Sequence, residues 1–333
     1  MRRTRTRLLA LLLVVTALAA ACGDSDDETA SSDETPSTTA TPAGSTEGSG
    51  TTEAGPAQIP DGPTITIGAQ DFGESAILAQ VYGQALSAAG YPVKQQELGG
   101  FRDIVYSSFA NGDIDFTVEY VSSTLEFLNS GAGEASNDLD ASVEALRTQL
   151  KSKGLQALEP ADAQDSNVFV VTPETAESKG LTAISDMTPE LRLGGPPNCE
   201  QNAACIPGLR EVYGIDMSSN FTPLDGGGPL TVAALDGGQI DVAILFSTNP
   251  QIADNGWKVL DDDKGLINVE NIIPVTTDAV VQAYGQDMAA VVDGVSAALT
   301  TKELAAMNKR FDVDHDDADV IAKEWLTEQG LMD

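Results

Sequence analysis

The sequence predicts an α/β fold with two lobes, in which each lobe is a mainly parallel sheet flanked by helices and a ligand cleft lies between the lobes. Beyond residue 62, short β-branched runs alternate with helical patterns of ten or more residues, which is typical of parallel sheets covered by helices. The segment NGDIDFTVEYVSS, from Asn111 to Ser123, has a counterpart in GGQIDVAILFSTN, from Gly237 to Asn249. A chain of 333 residues is also long enough to bury two cores of ordinary size.

The first lobe is predicted to begin with the strand TITIGAQ and the amphipathic helix ESAILAQVYGQALSAAG, which stops at Gly90. The strand YPVKQQEL follows, then a helix through Phe109, a turn at Asn111 and Gly112, and the strand IDFTVEY. From SNVFVVTP onward the second lobe repeats this plan, with IDVAILF as the counterpart strand. NIIPVTTDAVV then gives one more strand, and helices that include DDADVIAKEWLTEQG complete the chain.

This order predicts that lobe 1 comprises residues 63–167 and 273–333 and that lobe 2 comprises residues 168–272. The two similar strands each end in an aromatic residue, Tyr120 or Phe246, and hydroxyl-bearing residues follow. Open α/β sheets bind their ligands at the carboxyl ends of parallel strands. We therefore expect both aromatic residues at a cleft, although the shared phrase is also a common turn–strand pattern.

The N-terminal sequence predicts export and a lipid anchor. MRRTRTRLLALLLVVTALAAAC resembles a bacterial lipoprotein signal of residues 1–21, in which Cys22 is lipidated; a plain signal peptide is the alternative. Residues 22–62 are acidic and rich in Ser, Thr and Gly, and are predicted to be a disordered linker at the extracytoplasmic face of the cell membrane. Removing the signal, with its four arginines, takes the formal net charge from −33 to −37, which excludes nucleic acid as a partner.

The cysteine and acidic motifs predict no metal site. Cys199 and Cys205 remain after Cys22 is assigned to lipid, and an exported protein is expected to join them as a disulfide. A metal site is the rival, but His315 is the chain's only histidine, so co-ligands are missing. RFDVDHDDADV lacks the central Gly and the final Glu of a calcium loop. The sequence also has no nucleophile elbow, phosphate loop or Cys–His pair, so neither an enzyme nor a cofactor is expected.

Five segments between about Thr64 and Leu331 carry a family resemblance: TITIGAQDFGESAILAQVYGQALSAAGY, NGDIDFTVEYVSST, IPGLREVYGI, GGQIDVAILFSTNPQI and WKVLDDDKG. Together they resemble the substrate-binding proteins of ABC importers for glycine betaine, carnitine and choline. The resemblance implies a type II-like periplasmic-binding-protein fold that closes on a small solute and delivers it to ABC permease and ATPase subunits. We expect a monomer that contacts the membrane only through its lipid anchor. A lipoprotein that senses a solute or binds a partner without transport is the alternative.

The resemblance also implies site residues. Family members hold a quaternary ammonium group in a cage of aromatic rings, because the ring faces attract a cation. Tyr120 and Phe246 match cage positions, and Ser123 matches the last Thr of the family's EYTGT motif. Gln70 stands where the family often has Lys, and Asn167 where a cage aromatic often precedes the strand.

Ile272 and Ile273 occupy the stretch where the family usually has a pair of tyrosines, so the resemblance leaves two cage rings of four, and both isoleucines are expected to line a drier cleft. We therefore expect weak or no binding of glycine betaine and tighter binding of a less charged, flatter solute. The other candidates are ring and hydrogen-bonding side chains near the cleft: Phe72 or Phe101, Asp71, Ser247, Thr248 and Asn271. Three glycines in PLDGGGPLTVAAL either direct backbone N–H groups at an anionic ligand group or form a turn before a helix.

Overall fold

A computed structural model describes residues 62–333. The predicted signal peptide, Cys22 and the linker up to residue 61 lie outside the described residues. The strands are β1 (Ile65–Ala69), β2 (Val93–Glu97), β3 (Phe116–Tyr120), β4 (Leu155–Ala157), β5 (Asn167–Val171), β6 (Leu193–Gly195), β7 (Phe221–Pro223), β8 (Val242–Phe246), β9 (Lys258–Val259) and β10 (Ile272–Thr277). The helices are α1 (Gly73–Ala88), α2 (Arg102–Asn111), α3 (Val121–Leu128), α4 (Leu139–Lys151), α5 (Pro173–Lys179), α6 (Ile206–Gly208), α7 (Pro229–Asp236), α8 (Pro250–Asp254), α9 (Asp278–Ala298), α10 (Thr301–Asp312) and α11 (Ala318–Glu328).

The strands form two five-stranded sheets with one shared plan. The first sheet has the order β2-β1-β3-β10-β4 and the second has the order β7-β6-β8-β5-β9. Within each sheet three neighbouring strands are parallel, and the fourth strand, β10 or β5, is antiparallel to both of its neighbours. The predicted fold class is confirmed, and the two similar segments supply the equivalent strands β3 and β8.

The antiparallel strands arise because the chain enters each sheet from the other one. β10 begins beside the end of β3, where Ile272 pairs with Tyr120, and β5 begins beside the end of β8, where Asn167 pairs with Phe246. The chain passes between the sheets after β4 and again after β9, and the two passing segments pair at Gln164 and Asn271. The exact lobe boundaries at residues 167 and 272 stay a prediction.

Each sheet packs apolar side chains on both faces. Ile272 lies in the cluster formed with α1 and the helices α9 to α11, whereas the next residue, Ile273, lies in the cluster with α2, α3 and α4. In the second sheet Phe169 and Val170 likewise belong to opposite clusters. Successive residues of a strand point to opposite faces, so near-continuous apolar runs are what a sheet covered on both sides requires.

Two glycines end helices where the sequence predicts. Gly90 follows α1 with φ 96°, and Gly112 ends α2 in the left-handed region with φ 76°. Only glycine adopts this conformation without steric cost, so these positions fix where the chain turns toward β2 and β3.

Cys199 and Cys205 form a disulfide beside the second sheet, with their Cα atoms 5.3 Å apart, and both side chains are buried in its core. In residues 62–333 no helix is both long enough and apolar enough to cross a membrane.

Candidate ligand-binding cleft

A cavity of about 910 Å³ lies between the two sheets. Most of the residues that line it follow the carboxyl ends of β1, β2 and β3 in the first sheet and of β7 and β8 in the second. The C-terminal part of α10 completes the wall with Asn308 and Asp312. Its volume suits one small solute, and its position at the ends of parallel strands is where open α/β sheets bind ligands.

Five aromatic rings line this cavity: Phe72, Phe101, Tyr120, Phe127 and Phe246. Phe72 and Phe101 immediately precede α1 and α2, and their ring centroids lie 6.5 Å apart; Phe72 lies 6.3 Å from Tyr120. Phe101 is 60% exposed and Phe246 is 42% exposed, although phenylalanine is usually buried. Four of the five rings are at least 36% exposed, and rings gathered in one cavity in this way are suited to hold a cation that cannot donate hydrogen bonds.

Tyr120 is held rigidly at the end of β3. Its hydroxyl donates a hydrogen bond of 2.7 Å to the Glu74 carboxylate, and the Arg102 guanidinium carbon lies 5.7 Å from the ring centroid. Burial, followed by the nearby Glu74 charge, raises the pKa of the Tyr120 phenol well above its usual value. The phenol therefore remains a neutral donor, and Arg102 lies over the Tyr120 ring.

The polar wall of the cavity is acidic. Four acidic side chains line it: Glu74, Asp103, Asp165 and Asp312. Among the described residues of this lining, Arg102 is the one basic side chain. Burial raises the pKa of Glu74, while hydrogen bonds from Tyr120 and Asn308 act in the opposite direction. Burial and the neighbouring Glu74 charge raise the pKa of Asp165 to about 8. Such a wall favours a positively charged ligand.

Arg102 is engaged by an internal acid. Its Nε lies 2.9 Å from Glu119, whose side chain is 0% exposed and also accepts hydrogen bonds from Gln70 and Thr124. A ligand carboxylate would have to compete with Glu119 for this guanidinium. Because a buried carboxylate deprived of its partner is costly, the cavity offers a weak receptor for an anionic ligand group.

A family model described as the substrate-binding domain of ABC-type glycine betaine transport systems matches residues 63–328. The chain belongs to this family. The family consists of substrate-binding proteins of ABC transporters, so the protein is the solute-binding component of an importer. Family membership thereby confirms the resemblance in the sequence and does not favour the alternative of a sensor without transport.

Curated relatives agree with this assignment. The chain is 24% identical to the glycine betaine-binding protein YehZ of Escherichia coli, over 80% of this chain and 90% of that protein. It is 26% identical to a glycine-betaine-binding protein of Pseudomonas aeruginosa, over 83% of this chain and 91% of the relative. A carnitine transport binding protein of Listeria monocytogenes is 23% identical over 81% of this chain and 88% of its own length.

Solved structures of this family share the fold. The crystal structure of a glycine betaine/carnitine/choline ABC transporter superposes with a TM-score of 0.73 at 23% identity, covering 82% of this chain and all of that one. The apo structure of YehZ from Escherichia coli gives a TM-score of 0.69 at 23% identity, covering 81% of this chain and 99% of the other.

Most of the residues predicted for the binding-protein cleft lie in one place. Seven of them line the cavity: Gln70, Phe72, Phe101, Tyr120, Ser123, Phe246 and Thr248. Both alternatives, Phe72 and Phe101, contribute a ring, and Phe127 adds one that the sequence did not suggest. The cavity thus contains more rings than the two that the resemblance leaves, so the expectation of a less charged, flatter solute loses its main reason. Ser123 is engaged internally, because its backbone N–H and hydroxyl both donate to Glu270.

Five predicted residues lie outside the lining of the cavity: Asp71, Asn167, Ser247, Asn271 and Ile272. Ser247 instead accepts a hydrogen bond from the Ser166 backbone N–H at the passage between sheets. Asn271 is buried and donates to the Ala161 carbonyl. Ile272 is fully buried in the apolar core of the first sheet. The side chains of Ser247, Asn271 and Ile272 thus connect the passing segments and the first sheet instead of contacting a solute.

The three glycines before α7 line the cavity, but the first amides of the helix already have an anion. The Asp225 carboxylate accepts from the backbone N–H groups of Leu230 and Thr231, each at 2.9 Å. Of the two interpretations of PLDGGGPLTVAAL, the geometry favours the turn, because Asp225 takes the place of a ligand anion at the helix terminus.

Sequence reasoning missed seven of the lining residues that carry charge or an amide group: Glu74, Arg102, Asp103, Asp165, Asn249, Asn308 and Asp312. Arg102 has a detectable signal, since it is a cation directly after Phe101 at the start of a predicted helix. Asp165 has none, because an acid before a strand is common in loops.

Proposed function

We propose that the protein is an extracytoplasmic receptor for a cationic quaternary-ammonium solute, such as choline, that closes on this solute and delivers it to an ABC permease and its ATPase. The single observation that carries this proposal is a cavity with five aromatic rings and four acidic side chains against one engaged arginine. Rings and acids both stabilise a positive charge that has no hydrogen to donate. Relatives named for glycine betaine and carnitine support the quaternary-ammonium class.

Glycine betaine and carnitine carry a carboxylate as well as the cation. In this cavity that carboxylate would lie among acids and would compete with Glu119 for Arg102. A charge-assisted hydrogen bond contributes about 1.5–3 kcal/mol, so its absence weakens binding by about tenfold or more. We therefore propose that choline binds more tightly than glycine betaine or carnitine.

The test is calorimetric titration of the full-length mature protein with choline, glycine betaine, carnitine and 3,3-dimethyl-1-butanol, which is the uncharged isostere of choline. Choline should bind at least about tenfold more tightly than the isostere, because several rings each add about 0.5–2 kcal/mol for the cation. Equal affinity for choline and the isostere would overturn the proposal. Micromolar affinity for glycine betaine together with weak choline binding would identify a zwitterion receptor instead.

We further propose that Cys22 is lipidated after removal of residues 1–21 and that residues 22–62 tether the domain to the outer face of the cell membrane. A linker of about 40 flexible residues spans roughly 35 Å, which keeps a binding domain free to reach its permease. The disulfide between Cys199 and Cys205 supports export to an oxidising compartment. The variant Cys22→Ser should lose acyl labelling and leave the membrane fraction, whereas retention of the label would contradict the anchor.

The two-sheet plan supports a pair of lobes that close as hinged bodies, with the passing segments near residues 167 and 272 as the hinge. The binding domain is proposed to act as a monomer. Small-angle scattering with and without choline tests both points, since closure reduces the radius of gyration and the scattering mass gives the oligomeric state.

A further inference from the structure

The side chains that line the cavity direct their hydrogen-bond donors at the protein itself. Seven lining residues carry a donor group in the side chain: Gln70, Arg102, Tyr120, Ser123, Thr248, Asn249 and Asn308. Each of them donates to a protein oxygen: Gln70 and Arg102 to Glu119, Tyr120 and Asn308 to Glu74, Ser123 to Glu270, Thr248 to Asp165, and Asn249 to the Gly227 carbonyl. The wall therefore meets a solute mainly with acceptor oxygens.

Asn308 is fixed in this wall by contacts of α10 and α1. Met307 of the same helix is buried in the core of the first sheet, whereas Asn308 and Asp312, one turn apart, line the cavity. The Nδ2 of Asn308 donates to one oxygen of Glu74, and the Tyr120 hydroxyl donates to the other oxygen. Because a carboxylate accepts hydrogen bonds and an amide oxygen cannot donate one, this contact determines which end of the Asn308 amide is the oxygen.

The oxygen of the Asn308 amide lacks a partner. Asn308 is 7% exposed, and its buried Oδ1 accepts no hydrogen bond within residues 62–333. Buried polar atoms are nearly always hydrogen-bonded, and leaving one unsatisfied costs free energy. Because Asn308 borders the cavity and the neighbouring side-chain donors are engaged, the donor for this oxygen has to come from the solute.

We infer that Oδ1 of Asn308 accepts a hydrogen bond from a hydroxyl group of the bound solute, which makes Asn308 a specificity-determining residue. This inference rests on the proposed function of the cavity. A quaternary ammonium group has no N–H, so a hydroxyl is the donor that such a solute can carry. Choline has a hydroxyl, whereas glycine betaine carries a carboxylate that accepts hydrogen bonds and cannot donate one.

This contact discriminates between solutes by the direction of a hydrogen bond. Choline methyl ether would present an accepting oxygen to the wall, and propyltrimethylammonium has a methyl group where choline has its hydroxyl. Both analogues keep the trimethylammonium group that the aromatic rings bind. Both leave Asn308 Oδ1 without a partner, and a site that hydrogen-bonds a hydroxyl rejects analogues for this reason.

The experiment is calorimetric titration of the full-length mature protein with choline, choline methyl ether and propyltrimethylammonium at one pH and one ionic strength. Choline should bind about 3- to 10-fold more tightly than propyltrimethylammonium, which is the range expected for one hydrogen bond. The methyl ether should bind no more tightly than propyltrimethylammonium, because its oxygen meets another acceptor.

Asn308→Leu is the variant that tests the residue, because leucine has a similar volume and no polar atom in its side chain. In this variant the affinities for choline and propyltrimethylammonium should differ by less than about twofold. Tyr120→Phe is the matched control, since it removes the other hydrogen bond to Glu74 and leaves Asn308 in place. The ratio of the two affinities in Tyr120→Phe should equal the wild-type ratio. The wild-type order of the three solutes stands by itself if Asn308→Leu does not fold.

The outcomes are distinguishable. Equal wild-type affinities for choline and propyltrimethylammonium would overturn the inference and leave the proposed function intact. A preference for choline that persists in Asn308→Leu, or that is lost in Tyr120→Phe as well, would overturn the assignment to Asn308. The absence of binding by any of the three cations would overturn the proposed function and the inference with it.

Discussion

Phe101 offers the cleanest test of the aromatic cavity. Its ring precedes α2, lines the cavity and is 60% exposed, with Phe72 as its stacked neighbour at 6.5 Å. Because most of the ring is in contact with solvent, Phe101→Ala removes little buried area and should cost the fold less than about 1 kcal/mol. A change in solute affinity can therefore be assigned to the lost ring.

The expected loss follows from the energy of one ring face. A ring at an exposed site contributes about 0.5–1 kcal/mol to binding of a cation, and about 2 kcal/mol once the solute excludes water from it. Choline affinity should therefore fall by about 2- to 30-fold in Phe101→Ala. Phe101→Leu keeps apolar area but has no π face, so it should lose nearly as much, whereas Phe101→Tyr should retain the affinity.

The assay is calorimetry with choline and 3,3-dimethyl-1-butanol on each variant. The difference between the two losses isolates the interaction of the charge with the ring, because both solutes have the same shape. An equal loss for both solutes would show that Phe101 contributes only apolar contact. Unchanged choline affinity in Phe101→Ala would remove this ring from the binding site and weaken the proposal for the whole cavity.

Three further predictions concern the residues beneath the rings. Tyr120→Ala should lower choline affinity at least about tenfold while its circular dichroism spectrum stays native, whereas Tyr120→Phe should keep most of the affinity. A loss below about threefold in Tyr120→Ala would exclude the Tyr120 ring from the binding site. Glu119→Gln leaves Arg102, which is 23% exposed, without its buried partner, and urea unfolding should show a loss of about 2–3 kcal/mol; unchanged stability would mean that the pair contributes nothing net. The pKa of Asp165 is about 8 in the folded protein, which is above that of an unfolded aspartate, so the folded state holds the proton more tightly. The free energy of unfolding should therefore fall as the pH rises toward 8. Asp165→Asn should therefore be more stable than the wild-type protein at pH 8 and equal to it near pH 4; an unchanged difference in melting temperature across this range would refute the shifted pKa.

The sequence alone was sufficient for the fold class and its internal repetition. Gly90 and Gly112 end helices because only glycine adopts the required backbone, and this local rule operates without knowledge of the fold. The two similar segments become β3 and β8, which occupy equivalent places in their sheets. Tyr120 and Phe246 consequently end these strands at the same cavity, as the rule for parallel strands predicts.

The composition of the cavity was decided by the tertiary structure. Phe72 and Phe101 were predicted only as alternatives, and Phe127 comes from a segment whose sequence does not distinguish a solvent-facing ring from a core ring, so the number of rings was underestimated. Ile272 was predicted for the cleft, and it begins β10 beside Tyr120. Its side chain packs instead into the apolar core of the first sheet. The side chain alternates between faces along a strand, and which face meets the cleft depends on the position of the neighbouring lobe.

The charge of the site also had to await the tertiary structure. Glu74 and Asp165 are ordinary acids in the sequence, and they line one cavity only because the chain passes from one sheet to the other. Their raised pKa values come from burial, and burial depends on packing of α1, α10 and the passing segments together. The sequence determined that the protein has a cleft at the ends of its repeated strands; the packing of distant segments determined that this cleft is aromatic and acidic, because desolvation and charge coupling act through space and not along the chain.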